Sequence, residues 1–245
     1  MARDYGIIIA NRAISLSKAY IVVSVGLSAV AVFLGSVGHL LNGISVNATS
    51  IPTTSGTGTT TAQLQSSFPL ISVPLMVFSA LAFTTPVLLL YVYDKNNGVL
   101  EYFLSLGMDQ GDIYKSYLKA SLVLASILLV FEVTGNALVA LLAGLNRSLI
   151  IEIACLTPII ALSAVSFVTV IMMAFSSLQK ERVGSNQPLG IAIGVFLVLP
   201  TYVIPFALPT LAVAGDLVLA LVIVVMAVIT FILANRLIRR EKLLP

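Results

Sequence analysis

Six long apolar runs dominate this sequence, and no other feature restricts its fold as severely. They cover about 19–42, 70–93, 118–144, 149–176, 189–210 and 214–236. Each is long enough to cross a bilayer as a helix, which takes roughly 20 mostly apolar residues. A barrel strand would need only about 9–11 residues in an alternating pattern, and these runs do not alternate. Inside a bilayer no water is available to backbone N–H and C=O groups, so a helix that pairs them internally is the solution left. The expected fold class is all-α. The chain reads as a polytopic membrane protein with six transmembrane helices, and residues 1–245 form a single transmembrane domain.

Composition leaves little for anything else. Hydrophobic residues make up 59% of the chain and charged residues 9%, with a mean hydropathy of +1.08. A soluble domain carries about 25% charged residues. Basic residues set the expected orientation. With the N-terminus inside, Arg3, Arg12, Lys18, Lys95, Lys115, Lys119, Lys180, Arg182, Arg236, Arg239, Arg240 and Lys242 all fall on the cytoplasmic side, and Arg147 alone falls outside. That asymmetry follows the positive-inside rule and puts both termini in the cytoplasm of a multi-pass protein of the cell membrane. The first run is longer than the roughly 7–15 apolar residues of a secretory signal, so it reads as a retained span. Residues 5–18 suit an amphipathic helix on the inner surface. The outer loop 43–69 is rich in Thr, Ser and Gly and reads as a linker. Asn47-Ala48-Thr49 and Asn146-Arg147-Ser148 match the glycosylation triplet, and both lie outside in this topology.

Most chemistry is excluded. The lone cysteine, Cys155, rules out an internal disulfide and is expected to be a small buried hydrophobe. The lone histidine, His39, lies near the outer end of the first run and reads as an interfacial side chain. There is no GxSxG, HExxH or paired-carboxylate motif, and no metal site is expected. No Gly-rich loop ends in Gly-Lys-Ser/Thr, so if ATP powers the protein, another polypeptide hydrolyses it. Membrane lipids are expected contacts, and nucleic acid is not.

The most informative segment joins the second and third runs. In Gly98-Val99-Leu100-Glu101-Tyr102-Phe103-Leu104-Ser105-Leu106-Gly107, residues 99–106 suit a short amphipathic helix. Leu100, Phe103, Leu104 and Gly107 share one face by i, i+3, i+4 spacing. Gly98 and Gly107 bracket the helix, and Asp109 or Asp112 can cap the next one.

This loop resembles the coupling-helix loop of type-2 ATP-binding-cassette transporter permeases, the six-span export family. The family pattern is a charged stretch, Gly-Thr-Leu-Glu, two apolar residues, Ser-Leu and a small residue or Pro. A polar turn, an acid, Ile and Lys follow. The chain matches at Gly98, Leu100, Glu101, Leu104, Ser105, Leu106, Asp112, Ile113 and Lys115. It departs with Val99 for Thr, with Gly107-Met108 where Pro is common, and with Lys95-Asn96-Asn97 in place of an acidic run. The resemblance implies a permease domain whose unit pairs with a second one, identical or related, above two copies of an ABC ATPase subunit. Gly98, Leu100, Glu101, Phe103, Leu104 and Gly107 would then couple to the ATPase. ATP and Mg would belong to that partner, with no cofactor in this chain.

Two further features bear on transport. Glu132 lies mid-run in the third span, where a lipid-facing carboxylate costs several kcal/mol, so it is expected to face protein; with Asn136 it is a candidate for the translocation path. Glu152 and Asp216 read as a mouth residue and a cap before the sixth span. Pro200, Pro205 and Pro209 are expected to break or kink the fifth run, and Gly190 and Gly194 form a GxxxG there. The alternatives are an ATP-independent secondary transporter or channel, for which Pro74 and Pro86 in the second run speak, an intramembrane enzyme, for which no nucleophile is visible, and a non-transporting membrane scaffold.

Overall fold

A computed structural model describes residues 5–16, 18, 22–23, 25–26, 29–30, 59–142, 150–175 and 212–237. Described residues form helices and turns, with no strand among them. The elements are α1 (Tyr5–Leu16), α2 (Thr59–Asn96), α3 (Val99–Ser105), α4 (Gln110–Leu142), a π-helical segment (Glu152–Leu156), α5 (Thr157–Phe175) and α6 (Ala212–Leu237).

Among the described residues, three helices are long and apolar enough to cross a membrane: Leu75–Asn96, Gln110–Leu142 and Ile153–Ala174. They coincide with the second, third and fourth apolar runs. The sixth run forms α6, whose Ala220–Ile232 stretch is a shorter apolar helix. The fifth run, with its prolines and GxxxG, lies outside the described residues, as do all but a few helical positions of the first run. At roughly 1.5 Å per residue, the 33 residues of α4 reach about 50 Å, well beyond a hydrocarbon core of about 30 Å.

Three sequence expectations need correction. Residues 59–69, expected as linker, are the first turns of α2. Extending an existing helix costs far less than nucleating one, and Ala62, Gln63, Leu64 and Gln65 are good helix formers. Cys155 is exposed rather than buried. Ile153 and Thr157 point inward on consecutive turns, which leaves Ala154 and Cys155 on the outward side between them. Asp216 lies inside α6, which starts at Ala212, so it does not precede that helix as a cap.

Helix α2 stays continuous through Pro74 and Pro86. Thr84 and Thr85 turn their hydroxyls back onto the Leu81 carbonyl, at 2.9 and 3.3 Å. Such hydroxyls supply donors where proline disturbs the backbone ladder. In the centre of the bundle α2, α4, α5 and α6 meet through Val77, Ala80, Ala125, Leu129, Ala161, Ala164, Ala220 and Ala227. The alanines let backbones approach closely, which is how helices associate without a hydrophobic drive between them. A second core, around Tyr91, Leu100, Ile113, Tyr117 and Leu124, gathers α1, α3 and the adjoining ends of α2, α4 and α5. Outward, α6 shows Leu217, Val218, Leu221, Ile229 and Ile232, and α4 shows Ile127, Val130, Phe131 and Leu138. Apolar faces of this breadth suit a hydrocarbon solvent.

Candidate functional site

Glycine makes the junction of α2, α3 and α4 compact. Gly98 has φ 72° and Gly107 φ 81°, a region that costs L-residues with a Cβ roughly 1–2 kcal/mol. Gly98 lies between α2 and α3 and is the N-cap of α3. Its N–H donates to the Lys95 carbonyl at 3.3 Å, and its own carbonyl accepts from Tyr102 N–H at 3.0 Å. At the other end of α3, Gly107 N–H donates to Leu104 O (3.1 Å) and Met108 N–H to Phe103 O (3.2 Å). That pair of bonds is the Schellman motif, for which a left-handed glycine is the usual solution. Asp109 then precedes α4, its carbonyl accepting from Asp112 and Ile113 at 3.0 and 3.2 Å. Glu101 and Asp112 sit in the first turns of their helices, where carboxylates oppose the positive end of the helix dipole.

Among the expected coupling residues, Gly98, Leu100, Glu101, Phe103, Leu104 and Gly107 therefore belong to one seven-residue helix and its two ends. The apolar face identified from spacing is present, and it points into the protein. Leu100 is 0% exposed, and Phe103 and Leu104 pack against the same core. The outward face is Glu101, Tyr102, Ser105 and Leu106, with Tyr102 at 61% and Leu106 at 62% exposed.

One level inward lies a polar joint that spacing did not reveal. The Asp94 side chain, in the last turn of α2, is 1% exposed. Tyr117 of α4 donates its phenol to Asp94 Oδ2 at 2.6 Å. From α1, Arg12 reaches the same carboxylate, with Nη1 donating to Oδ2 at 3.1 Å and Nη2 at 2.9 Å from Oδ1. Tyr91 packs edge-on against Tyr117, ring centroids 5.2 Å apart. Arg12 and Asp94 are 82 residues apart, and no local pattern links them; the one hint is an arginine in a short amphipathic segment. Helix α1 is held down by Gly6, Ile9, Ala10 and Ala13, and a Cβ at Gly6 would meet the Lys119 stem at 3.0 Å.

Glu132 and Asn136 lie deep in α4, both fully buried. Ser79 of α2 donates to Glu132 Oε1 and shares its single hydrogen with the Met76 carbonyl, 2.9 Å away. Asn136 Nδ2 donates to the Glu132 carbonyl at 2.9 Å and faces Met76 Sδ at 3.5 Å. Met76, Ala140 and Ile153 of the π-helical segment close this pocket of packing. The carboxylate faces protein, as the cost of lipid exposure requires. Among the described residues, no group of three His, Cys, Asp or Glu could hold a metal. Asn47, Asn146 and His39 lie outside the described residues, and the Glu152 side chain does too.

Comparisons of the chain with protein-family models, curated proteins and solved structures find no match.

Proposed function

We propose that this chain is the membrane-spanning permease subunit of an ATP-driven exporter of the ABC type. It would cross the cell membrane six times with both termini cytoplasmic and pair with a second permease unit. Two copies of an ATPase subunit beneath the pair would bind ATP and Mg. The observation that carries the reading is α3: a short helix clasped by two left-handed glycines between two helices of spanning length, with a solvent-facing side of Glu101, Tyr102, Ser105 and Leu106. A rigid, well-packed helix of this kind can transmit force, and the chain carries no phosphate-binding loop of its own. The basic asymmetry supports the orientation. Docking would use Tyr102 and Leu106 as anchors in an apolar groove, with Glu101 at its rim.

Two measurements test this. Co-purification with the ATPase encoded beside this chain should weaken by about 1–3 kcal/mol in Tyr102→Ala/Leu106→Ala, with thermal stability in detergent unchanged. Leu100→Ala should instead destabilise the protein by about 2–5 kcal/mol, because it empties a filled core site. Lack of any ATPase in the purified native complex would favour an ATP-independent transporter. Separately, single cysteines at Ser55 and Ser185 in a Cys155→Ser background should label from opposite sides of the membrane. Equal labelling of both from outside would overturn the topology.

A further inference from the structure

The Arg12–Asp94–Tyr117 joint and the space beside it form a mechanical arrangement. Asp94 sits one turn before Gly98, so whatever holds its carboxylate also holds the root of α3. The holders come from two other helices, Arg12 from α1 and Tyr117 from α4. On the far side of the joint, α1 does not close onto α3. A cleft of about 60 Å³ separates them, lined by Ile8, Ile9, Phe103, Met108 and Ile113 with the joint at one end. Its lining surface is apolar, so the Phe103 and Met108 side chains meet α1 across it through apolar contacts alone. Tight packing normally leaves no such space. Here it is confined to one side of a helix whose root is pinned.

We infer that Arg12, Asp94 and Tyr117 are the pivot on which α3 rocks toward α1, and that they are positioning residues for coupling rather than part of the docking face. The inference rests on the reading of residues 98–107 as the coupling loop. Its ion pair suits a pivot. One guanidinium nitrogen donates to Asp94 Oδ2 and the other lies against Oδ1 as an ion-pair contact, so both carboxylate oxygens face the same planar cation. Asp94 is buried, so bulk salt screens the pair little. Lysine would keep the charge and lose the fork.

The first test needs no partner. Amide hydrogen exchange of the full chain in detergent should rise about tenfold in Arg12→Gln across α1 and 97–107 together, with residues 120–140 unchanged. Arg12→Lys should give an intermediate rise, and Tyr117→Phe should loosen the same two segments. A rise confined to α1, or none, would overturn the pivot. The second test uses the complex with the ATPase. Cysteines at Ile8 and Phe103, in the Cys155→Ser background, bridged by a short reducible cross-linker, should abolish transport-coupled ATP hydrolysis while the ATPase stays bound, and reductant should restore it. Full coupled activity in the bridged complex would overturn the rocking motion. If no ATPase copurifies with the native chain, the permease reading fails on its own, and the exchange result still decides the pivot.

Discussion

Two carboxylates are buried among the described residues, and they sit on the same pair of helices. Asp94 ends α2, and Glu132 lies mid-way along α4 opposite Ser79, roughly 20 Å away at about 1.5 Å per residue. They do different jobs. Asp94 gathers three helices and takes its cation from a residue whose side chain is 41% exposed, so the charge that holds it can hydrate when the contact opens. Glu132 joins two helices, and its partner Ser79 and neighbour Asn136 are as fully buried as it is. The loop end of the bundle is thus fastened by a bond with one partner in reach of water, and the middle by one that is wholly enclosed.

Among substitutions at the two carboxylates and their partners, the largest effect should come from Glu132→Ala. It leaves a void and strips Ser79 of its acceptor on α4, for about 2–4 kcal/mol of thermal stability in detergent. A smaller loss than for Arg12→Ala or Asp94→Asn would break the comparison. Next is Arg12→Ala, about 1–3 kcal/mol, because it strands a buried carboxylate. Asp94→Asn should cost less, near 1 kcal/mol, since Arg12 can turn to water and the amide oxygen can still accept from Tyr117. Equal losses for the two would mean that the guanidinium gains nothing from the burial of Asp94. Glu132→Gln should be smallest, under about 1 kcal/mol, because an amide preserves the contact with Ser79. A loss of transport in that variant at unchanged stability would place Glu132 in the translocation path; unchanged transport would make it packing only.

What the sequence made legible follows from how local each signal is. Gly98, Gly107 and the Leu100–Phe103–Leu104 face were readable because helix ends and a 3.6-residue period are short-range features. Which way that face points was not readable, because it depends on how α3 folds back against α2 and α4. The burial of Glu132 was legible because a carboxylate in a long apolar run has one affordable environment. The Arg12–Asp94 pair was hidden by its sequence separation. Cys155 misled because its run is apolar on nearly all sides, so composition does not mark which side faces out. The boundary of α2 misled because Thr-rich sequence carries a weak preference that a long helix overrides.

Only Asn97 and Gly98 separate α2 from α3, and so the two helices share a hinge with few spare links. In a drive train this is a coupling with little backlash: a small rotation of α3 has little slack to take up before α2 must respond. The same economy restricts change over generations. One residue inserted after Gly98 would turn the faces of α3 by about 100°, carrying Leu100 away from its core and Tyr102 away from solvent. A change of side chain here alters one contact, whereas a change in the length of this junction alters every contact of α3 at once.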